Sequence, residues 1–132
     1  MVARRGGTRA LGTVFAAVLG AAFALALPFA ASAQAYPEKP ITIIVPFPPG
    51  GATDILARML GQKVADAVKQ PVLVDNKAGA TGAIGLTHLA RSAPDGYTLA
   101  IATASSLAAN PAVSKVPFDP VKDFSPIGII AL

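Results

Sequence analysis

A short apolar run passes into a loop rich in proline and glycine and then into a helical pattern. Residues 41–45 are mostly β-branched and predict a buried strand, and the helical pattern begins near Ile55. Three prolines stiffen the first half of the loop, because each fixes φ and lacks an N–H donor. Gly50 and Gly51 give the second half its freedom. This succession of strand, loop and helix predicts uncovered backbone N–H groups at the positive end of the helix. Such a site favours the binding of an anion. The N–H groups are those of Gly51, Ala52, Thr53 and Asp54.

Residues 1–35 have the pattern of a secretory signal peptide. They carry three arginines and no acidic residue, and an apolar run extends over residues 11–31. Small residues close the segment and predict cleavage after Ala33 or Ala35. The alternative is a membrane anchor, but Pro28 interrupts the run and no basic cluster follows it. The sequence therefore predicts a signal peptide at 1–35 and a mature periplasmic domain at 36–132.

Charge and cysteine content narrow the possible functions of the mature part. The whole chain has 11 basic and 7 acidic residues, and the leader's arginines account for most of the excess. A nearly neutral mature part gives no case for binding nucleic acid or an anionic membrane surface. The chain has no cysteine, so it can form no disulfide and carry no lipid anchor on a cysteine. We expect a free protein that is stabilised by core packing.

Strand and helix patterns alternate along residues 36–132 and predict an α/β fold with a parallel sheet. After the first strand come a helix at 54–68, a strand at 72–76, a short helix at 82–91, a strand at 97–103, a helical turn at 107–110 and a fourth strand at 127–132. Loops that follow parallel strands emerge at one edge of a sheet, and ligands bind at that edge. We therefore expect the loops at 50–54, 79–82 and 103–106 to converge.

Two further expectations concern packing and extent. The first helix is predicted to turn its apolar residues toward the core, because they recur at helical spacing. These residues are Ile55, Leu56, Met59, Leu60, Val64, Ala67 and Val68. The chain also ends inside the apolar run of the fourth strand, without a cap or a polar tail. We interpret it as the N-terminal fragment of a longer protein.

No pattern in the sequence supports catalysis or a metal site. The single histidine, His88, falls among small and apolar residues of the second helix, where a surface or half-buried position is favoured over a catalytic base. Ser105 and Ser106 lack the Gly-x-Ser-x-Gly elbow of a serine hydrolase. No cluster of His, Asp and Glu has metal-ligand spacing. We expect neither catalytic residues nor a bound metal.

The glycine-rich loops invite a nucleotide interpretation that their spacing does not support. Neither loop contains Gly-Lys-Ser/Thr, which excludes a phosphate-binding NTPase loop. The glycines at Gly79, Gly82 and Gly85 precede a helix, but they lack the Gly-x-Gly start of a dinucleotide fingerprint. Close packing of helix on sheet explains Gly85 as well as ligand binding does. No cofactor is predicted.

Asp54 poses an electrostatic problem, because a carboxylate beside an anion site repels the ligand unless its charge is engaged. Three roles are open: capping the first helix, accepting from backbone amides across the loop, or pairing with a ligand's ammonium group. Capping by Thr53 or Asp54 is favoured. Arginine is absent from the three loops and Lys77 fits a solvated position, so no guanidinium clamp is predicted. Backbone N–H groups and hydroxyls would hold a carboxylate, directly or through water. The hydroxyls are those of Thr53, Thr81, Thr103 and Ser105.

Five segments carry a family resemblance, at residues 36–41, 45–54, 74–82, 95–99 and 118–127. In this order they closely resemble Bug-type solute receptors, the extracytoplasmic binding proteins of tripartite tricarboxylate transporters. The resemblance covers essentially all of residues 36–132. The second loop departs from it slightly, since Asp75 stands where many members carry glutamate.

The resemblance implies part of the first lobe of a two-lobed, type II-like periplasmic-binding-protein clamshell. It implies a receptor, not an enzyme, that delivers a small carboxylate to membrane transporter subunits or, in some members, signals to a sensor kinase. We expect such a receptor to be a monomer. The resemblance also implies that the loops at 47–54, 79–82 and 103–106 face the ligand. The predicted contacts are Phe47, Gly51, Ala52, Thr53, Asp54, Gly79, Thr81, Gly82, Thr103 and Ser105.

Two alternatives stay open. The first is an exported Rossmann-like, nucleotide-dependent enzyme, although nicotinamide cofactors are scarce outside the cytoplasm. The second is a non-functional truncated fragment, because half a lobe buries too little surface to offset the entropy of ordering the chain.

Overall fold

The computed structural model describes residues 36–130. The elements in chain order are β1 (Ile41–Val45), α1 (Ala52–Val68), β2 (Val72–Asn76), a 3-10 turn (Ala80–Gly82), α2 (Ala83–Ala90), β3 (Thr98–Ala100), one turn of π-helix (Ser105–Ala109) and α3 (Asn110–Val113). The predicted signal peptide lies outside the described residues and stays a prediction. Within residues 36–130, none of the helices has the length and apolar character needed to cross a membrane.

The three strands form one parallel sheet in the order β2-β1-β3. In register, Ile43 of β1 stands between Val74 of β2 and Leu99 of β3. β1 is almost wholly buried because it is the central strand and both faces of the sheet are covered. The predicted α/β fold with a parallel sheet is confirmed. β3 is shorter than predicted and covers only Thr98–Ala100 of residues 97–103.

Helices cover both faces of the sheet. Ile43 and Val45 pack with Ala57 of α1 on one face. Ile44, which points to the opposite face, is fully buried beside Ala100 of β3, its register partner. The buried core on that second face consists of Ala83, Leu86 and Phe118. Each isoleucine of β1 that is removed from water in this way contributes about 1.5–3 kcal/mol.

The predicted core face of α1 is wrong in part, since only Leu60, Val64 and Val68 of the seven apolar residues are half-buried and the others are exposed. The buried residues of the helix are Asp54, Ala57 and Gly61, whereas Ile55 and Met59 are 53% and 60% exposed. Small residues on the buried face let the helix lie close to the sheet, since a Cβ added at Gly61 would stand 3.2 Å from Cγ1 of Val72. Close approach of the two backbones therefore decides which face of α1 is buried, and Ile55, Leu56 and Met59 are left exposed.

The predicted fourth strand is also wrong over the part that the structure describes. Residues 127–130 form no strand, and Ile127 and Ile129 are 83% and 80% exposed. An extended apolar segment becomes a strand only when a neighbour pairs with its backbone, and the sheet of residues 36–130 contains only β1, β2 and β3. The helical turn predicted at 107–110 is present, and the helical segment extends from Ser105 to Val113.

Candidate functional site

The carboxyl ends of the three strands place three loops at one edge of the sheet. β1, β2 and β3 end at Val45, Asn76 and Ala100, and all three run in the same direction. The loops touch: a Cβ added at Gly82, after β2, would stand 2.7 Å from Cβ of Ser106, after β3, and 3.3 Å from Cβ of Pro46, after β1. The predicted convergence of the loops is therefore confirmed. We call this edge, with residues 46–54, 77–82 and 101–106, the binding edge.

The first loop leaves the start of α1 open. The first hydrogen bond of the helix runs from the N–H of Ile55 to the carbonyl oxygen of Gly51, at 3.0 Å. Within the described residues, the backbone N–H groups of Ala52, Thr53 and Asp54 have no acceptor. Gly51 occupies the N-cap position, and no side chain of the part of the chain that the structure describes caps the helix. The prediction of capping by Thr53 or Asp54 is wrong, and the uncovered N–H groups are available to an anion.

Asp54 accepts from a backbone amide across the loop, which is one of the three roles predicted for it. Its side chain is buried, and the N–H of Gly50 donates to its Oδ2 at 2.9 Å across the loop. Arg58 adds a two-point contact, with Nε 3.0 Å from Oδ2 and Nη2 3.0 Å from Oδ1. The Arg58 guanidinium, the Gly50 N–H and the amide of Asn76 together lower the pKa of Asp54 from 3.8 to about 2. Asp54 is thus ionised and internally satisfied, and the part of it that remains available to a ligand is its backbone N–H.

Asn76, the last residue of β2, ties the first loop to the second strand. Its Nδ2 donates to Oδ1 of Asp54 at 3.0 Å and to the carbonyl oxygen of Phe47 at 3.2 Å. Its Oδ1 accepts from Nη2 of Arg58 at 3.2 Å. Sequence reasoning missed Asn76 and Arg58 as determinants of the site. The (i, i+4) spacing of Asp54 and Arg58 was a usable signal, whereas nothing in the sequence pairs Asp54 with Asn76.

The second loop is held in left-handed backbone conformations. Gly79 and Gly82 have φ of +130° and +90°, and Ala80 and Thr81 have φ of +47° and +54°. The N–H of Gly82 donates to the carbonyl oxygen of Gly79 at 2.9 Å and closes the turn. Thr81 is thereby presented to solvent at the binding edge, while Gly82 is buried. Non-glycine residues held at positive φ are strained, and such strain concentrates at functional sites.

Gly82 and Gly85 serve packing. A Cβ at Gly85 would stand 2.9 Å from Cβ of Pro46 and 3.1 Å from the carbonyl oxygen of Lys77. The close-packing interpretation of Gly85 is confirmed. Gly82 is pressed against the first and third loops in the same way, so its contribution to the binding edge is to let the loops meet.

The third loop presents hydroxyl groups. Oγ1 of Thr103 and Oγ of Ser105 lie 2.8 Å apart, and Ser105 is exposed. Ser106 is fully buried, and its Oγ accepts from the N–H of Thr103 at 3.0 Å, which fixes the turn. Nδ2 of Asn110 donates to the carbonyl oxygen of Ala80 at 2.9 Å and joins this segment to the strained second loop.

The ten predicted contact residues all lie on the binding edge, at different depths. Half are exposed: Gly51, Ala52, Gly79, Thr81 and Ser105. Phe47, Thr53 and Thr103 are half-buried, and Asp54 and Gly82 are buried. His88 is exposed on α2, outside this edge. Among residues 36–130 no three His, Cys, Asp or Glu side chains are grouped to hold a metal ion. Lys77, which was predicted to be solvated, is instead half-buried and pairs with Asp75 at 3.0 Å. Apart from Lys77, the groups that this edge offers to a ligand are neutral N–H and O–H donors, which suit a carboxylate that is held by hydrogen bonds.

Comparison with known proteins agrees with this geometry. Residues 56–132 match the family described as "Tripartite tricarboxylate transporter family receptor". The chain is 45% identical over 101 residues to Protein BugT of Bordetella pertussis strain Tohama I, and the match covers 75% of this chain and 31% of BugT. The chain therefore spans about a third of the length of the curated relatives that it matches.

Solved structures show the same similarity. One, titled "Structure of a periplasmic transporter", is 54% identical with a TM-score of 0.64, over 67% of this chain and 30% of that one. Another is MatC from Rhodopseudomonas palustris with bound malate, at 37% identity and a TM-score of 0.66, over 69% of this chain and 31% of that one.

Proposed function

Because the chain belongs to the tripartite tricarboxylate transporter receptor family, we propose that it forms the carboxylate-binding edge of a periplasmic solute receptor. A small carboxylate would lie on the N–H groups at the start of α1. The hydroxyls of Thr81 and Ser105 would donate to it from the second and third loops, and Thr103 would hold Ser105 in place through the 2.8 Å contact between their hydroxyl oxygens. The observation that carries the proposal is that the N–H groups of Ala52, Thr53 and Asp54 have no acceptor within residues 36–130 and belong to the first of the three loops that meet at this edge.

The chemistry of the donors favours an anion, and the family of the chain points to a carboxylate. Helix N–H groups and hydroxyls donate without carrying charge, and at the positive end of a helix they stabilise an anion. A related receptor, MatC, holds malate. We propose a small mono- or dicarboxylate as the ligand class for this chain.

The cellular role follows from the family and from the predicted leader. We propose that residues 1–35 are a signal peptide removed on export and that residues 36–132 act in the periplasm as part of the first lobe of a two-lobed clamshell. The partners would be membrane subunits of a tripartite transporter, or a sensor kinase if the receptor signals, and the receptor would be a monomer. It would carry the ligand without transforming it.

The experiment that tests the ligand class uses protein produced from its complete reading frame. Thermal shift, followed by calorimetry, is measured against a panel of mono-, di- and tricarboxylates that includes malate, with nicotinamide nucleotides as a counter-panel. We expect at least one carboxylate to bind and no nucleotide to do so. If no carboxylate binds, or if a nucleotide binds instead, the proposal is contradicted.

Two substitutions locate the site once a carboxylate has been found. Thr81→Val and Ser105→Ala each remove a hydroxyl from the binding edge and should weaken binding about tenfold, since a hydrogen bond to a charged group contributes about 1.5–3 kcal/mol. Ser92→Ala is the matched control. Its hydroxyl donates to the carbonyl oxygen of His88 at the end of α2, away from the binding edge. Equal affinity in all three variants places the ligand elsewhere.

A further inference from the structure

The proposed anion site and a buried carboxylate share the first turn of α1. The side chain of Asp54 is 5% exposed, and its carboxylate accepts from the N–H of Gly50 inside the loop that leads into α1. Asp54 is also in the first turn of the helix whose N–H groups would receive the ligand. Ala52 and Asp54 are two residues apart, and the helix rises only about 1.5 Å per residue. A ligand carboxylate bound at the N–H of Ala52 would therefore lie close to a fixed negative charge. Two such charges repel unless one of them is neutralised.

Arg58 is the group that neutralises this charge. Its guanidinium contacts both carboxylate oxygens of Asp54 at 3.0 Å. The same Nη2 donates to Oδ1 of Asn76 at 3.2 Å, and Nδ2 of Asn76 returns to Oδ1 of Asp54 at 3.0 Å. The three side chains thus form a closed cycle, in which the orientation of each is fixed by the other two. Arg58 lies one turn after Asp54 in α1, and its guanidinium is occupied by Asp54 and Asn76.

We propose that Arg58 is a positioning and charge-compensating residue of the binding edge, which makes the start of α1 receptive to an anion by cancelling the charge of Asp54. The inference deepens the proposed function and rests on it. Arg58 does not contact the ligand in this scheme. It acts through Asp54, which it holds against the N–H of Gly50, and through Asn76, which holds the carbonyl of Phe47.

Removing only one charge of the pair differs from removing both. Arg58→Gln leaves Asp54 ionised and uncompensated beneath the ligand. The double variant Asp54→Asn/Arg58→Gln leaves neither charge and keeps two hydrogen-bonding amides of similar shape. If Arg58 and Asp54 served only to hold the loop in shape, both variants would bind the ligand more weakly. If Arg58 compensates the charge of Asp54, only Arg58→Gln should bind it more weakly.

The experiment measures calorimetric affinity of the protein from its complete reading frame for the carboxylate that binds most tightly in the panel above. Arg58→Gln should bind it about tenfold more weakly at about 20 mM salt, and the deficit should shrink at about 500 mM salt, where the repulsion is screened. The double variant should return to within about threefold of the original affinity. Arg91→Gln, which removes an exposed arginine at the end of α2, is the control and should bind as the unsubstituted protein does.

Two results overturn the inference: full affinity in Arg58→Gln, or a double variant that binds no better than the single one. A carbon-detected NMR titration of the Asp54 carboxyl separates this failure from failure of the proposed function. If the panel is silent, the proposed function fails. The titration then tests the charge compensation by itself, because a midpoint in Arg58→Gln that equals that of the unsubstituted protein shows that Arg58 compensates no charge at Asp54.

Discussion

Nδ2 of Asn76 donates to Oδ1 of Asp54 at 3.0 Å, which joins the last residue of β2 to the first turn of α1. The same Nδ2 reaches the carbonyl oxygen of Phe47, in the loop between β1 and α1. One side chain therefore fixes both ends of the first loop against the neighbouring strand. The orientation of the N–H groups at the start of α1 depends on this link as well as on the helix itself.

Asn76→Ala should lower the free energy of unfolding by about 2 kcal/mol, because it removes one hydrogen bond to a charged group and leaves the carbonyl of Phe47 without its donor. Urea unfolding of the protein from its complete reading frame measures the change. Gln62→Ala, an exposed polar truncation on α1, is the control and should alter stability by less than about 0.5 kcal/mol. If the two variants are equally stable, Asn76 does not hold the loop.

Asp54 should make stability depend on pH in a defined window. Its pKa is lowered from 3.8 to about 2 in the folded protein, first by the Arg58 guanidinium and then by the N–H of Gly50 and the amide of Asn76. A carboxyl whose folded pKa is depressed stabilises the protein above the unfolded pKa, and this contribution is lost as pH falls through the folded value. Stability should therefore fall between about pH 4 and about pH 2, as protons bind preferentially to the unfolded chain.

The measurement for this window is the free energy of unfolding as a function of pH in the unsubstituted protein and in Asp54→Asn. The curve of Asp54→Asn should be flatter between about pH 4 and about pH 2, with a residual slope from other carboxyls. Asp95 and Asp119 supply part of that slope, because the N–H groups of Tyr97 and Val121, respectively, lower their pKa values. Asp66→Asn, on the exposed side of α1, is the control. Parallel curves for all three proteins would show that Asp54 contributes nothing to the acid sensitivity.

Gly82→Ala should be strongly destabilising. Its φ of +90° disfavours any side chain, and the new Cβ would stand 2.7 Å from Cβ of Ser106. Left-handed strain and overpacking each cost about 1–3 kcal/mol, so we expect a loss of about 3 kcal/mol. Gly128→Ala is the control, because no atom of the described residues lies within 4 Å of a Cβ added there. Thermal unfolding compares them, and a Gly82→Ala variant as stable as Gly128→Ala would show that the loops do not meet at Gly82.

The sequence predicted the sheet well and the interactions across it less well. β1 and β2 have the predicted bounds, because short apolar runs that begin directly after Pro40 and Pro71 and are rich in β-branched residues have few other ways to fold. The convergence of the loops followed from parallel topology alone. The buried face of α1 could not be predicted from hydrophobicity, since the closeness of helix and sheet at Gly61 depends on three-dimensional packing.

The role of Asp54 shows the same limit at the binding edge. Local rules favour a helix cap for an aspartate at this position. The structure instead directs its carboxylate to Gly50, Arg58 and Asn76, and the last of these is 22 residues away in sequence. Only the pairing of β1 with β2 brings Asn76 to this place, in register with Val45. Polar networks that join a helix to a strand distant in sequence are therefore the part of the site that only the three-dimensional structure reveals.

Replacing Thr81 by glycine should stabilise the protein while it weakens binding. Thr81 has φ of +54° and ψ of +36°, a left-handed conformation that costs a β-branched residue about 1–2 kcal/mol and costs glycine little. After the greater flexibility of unfolded glycine is subtracted, we expect a net gain of about 0.5–1 kcal/mol. Ala80→Gly, at φ of +47°, should gain similarly, whereas Ala78→Gly, in the same loop but outside the positive-φ positions, should lose stability.

Thermal unfolding together with carboxylate calorimetry separates the effect on stability from the effect on binding. Thr81→Gly should raise the unfolding temperature and reduce affinity about tenfold by loss of the hydroxyl, and Ala80→Gly should raise the temperature alone. A fall in the unfolding temperature of both variants would mean that the turn at Ala80 and Thr81 is not held in the left-handed conformation.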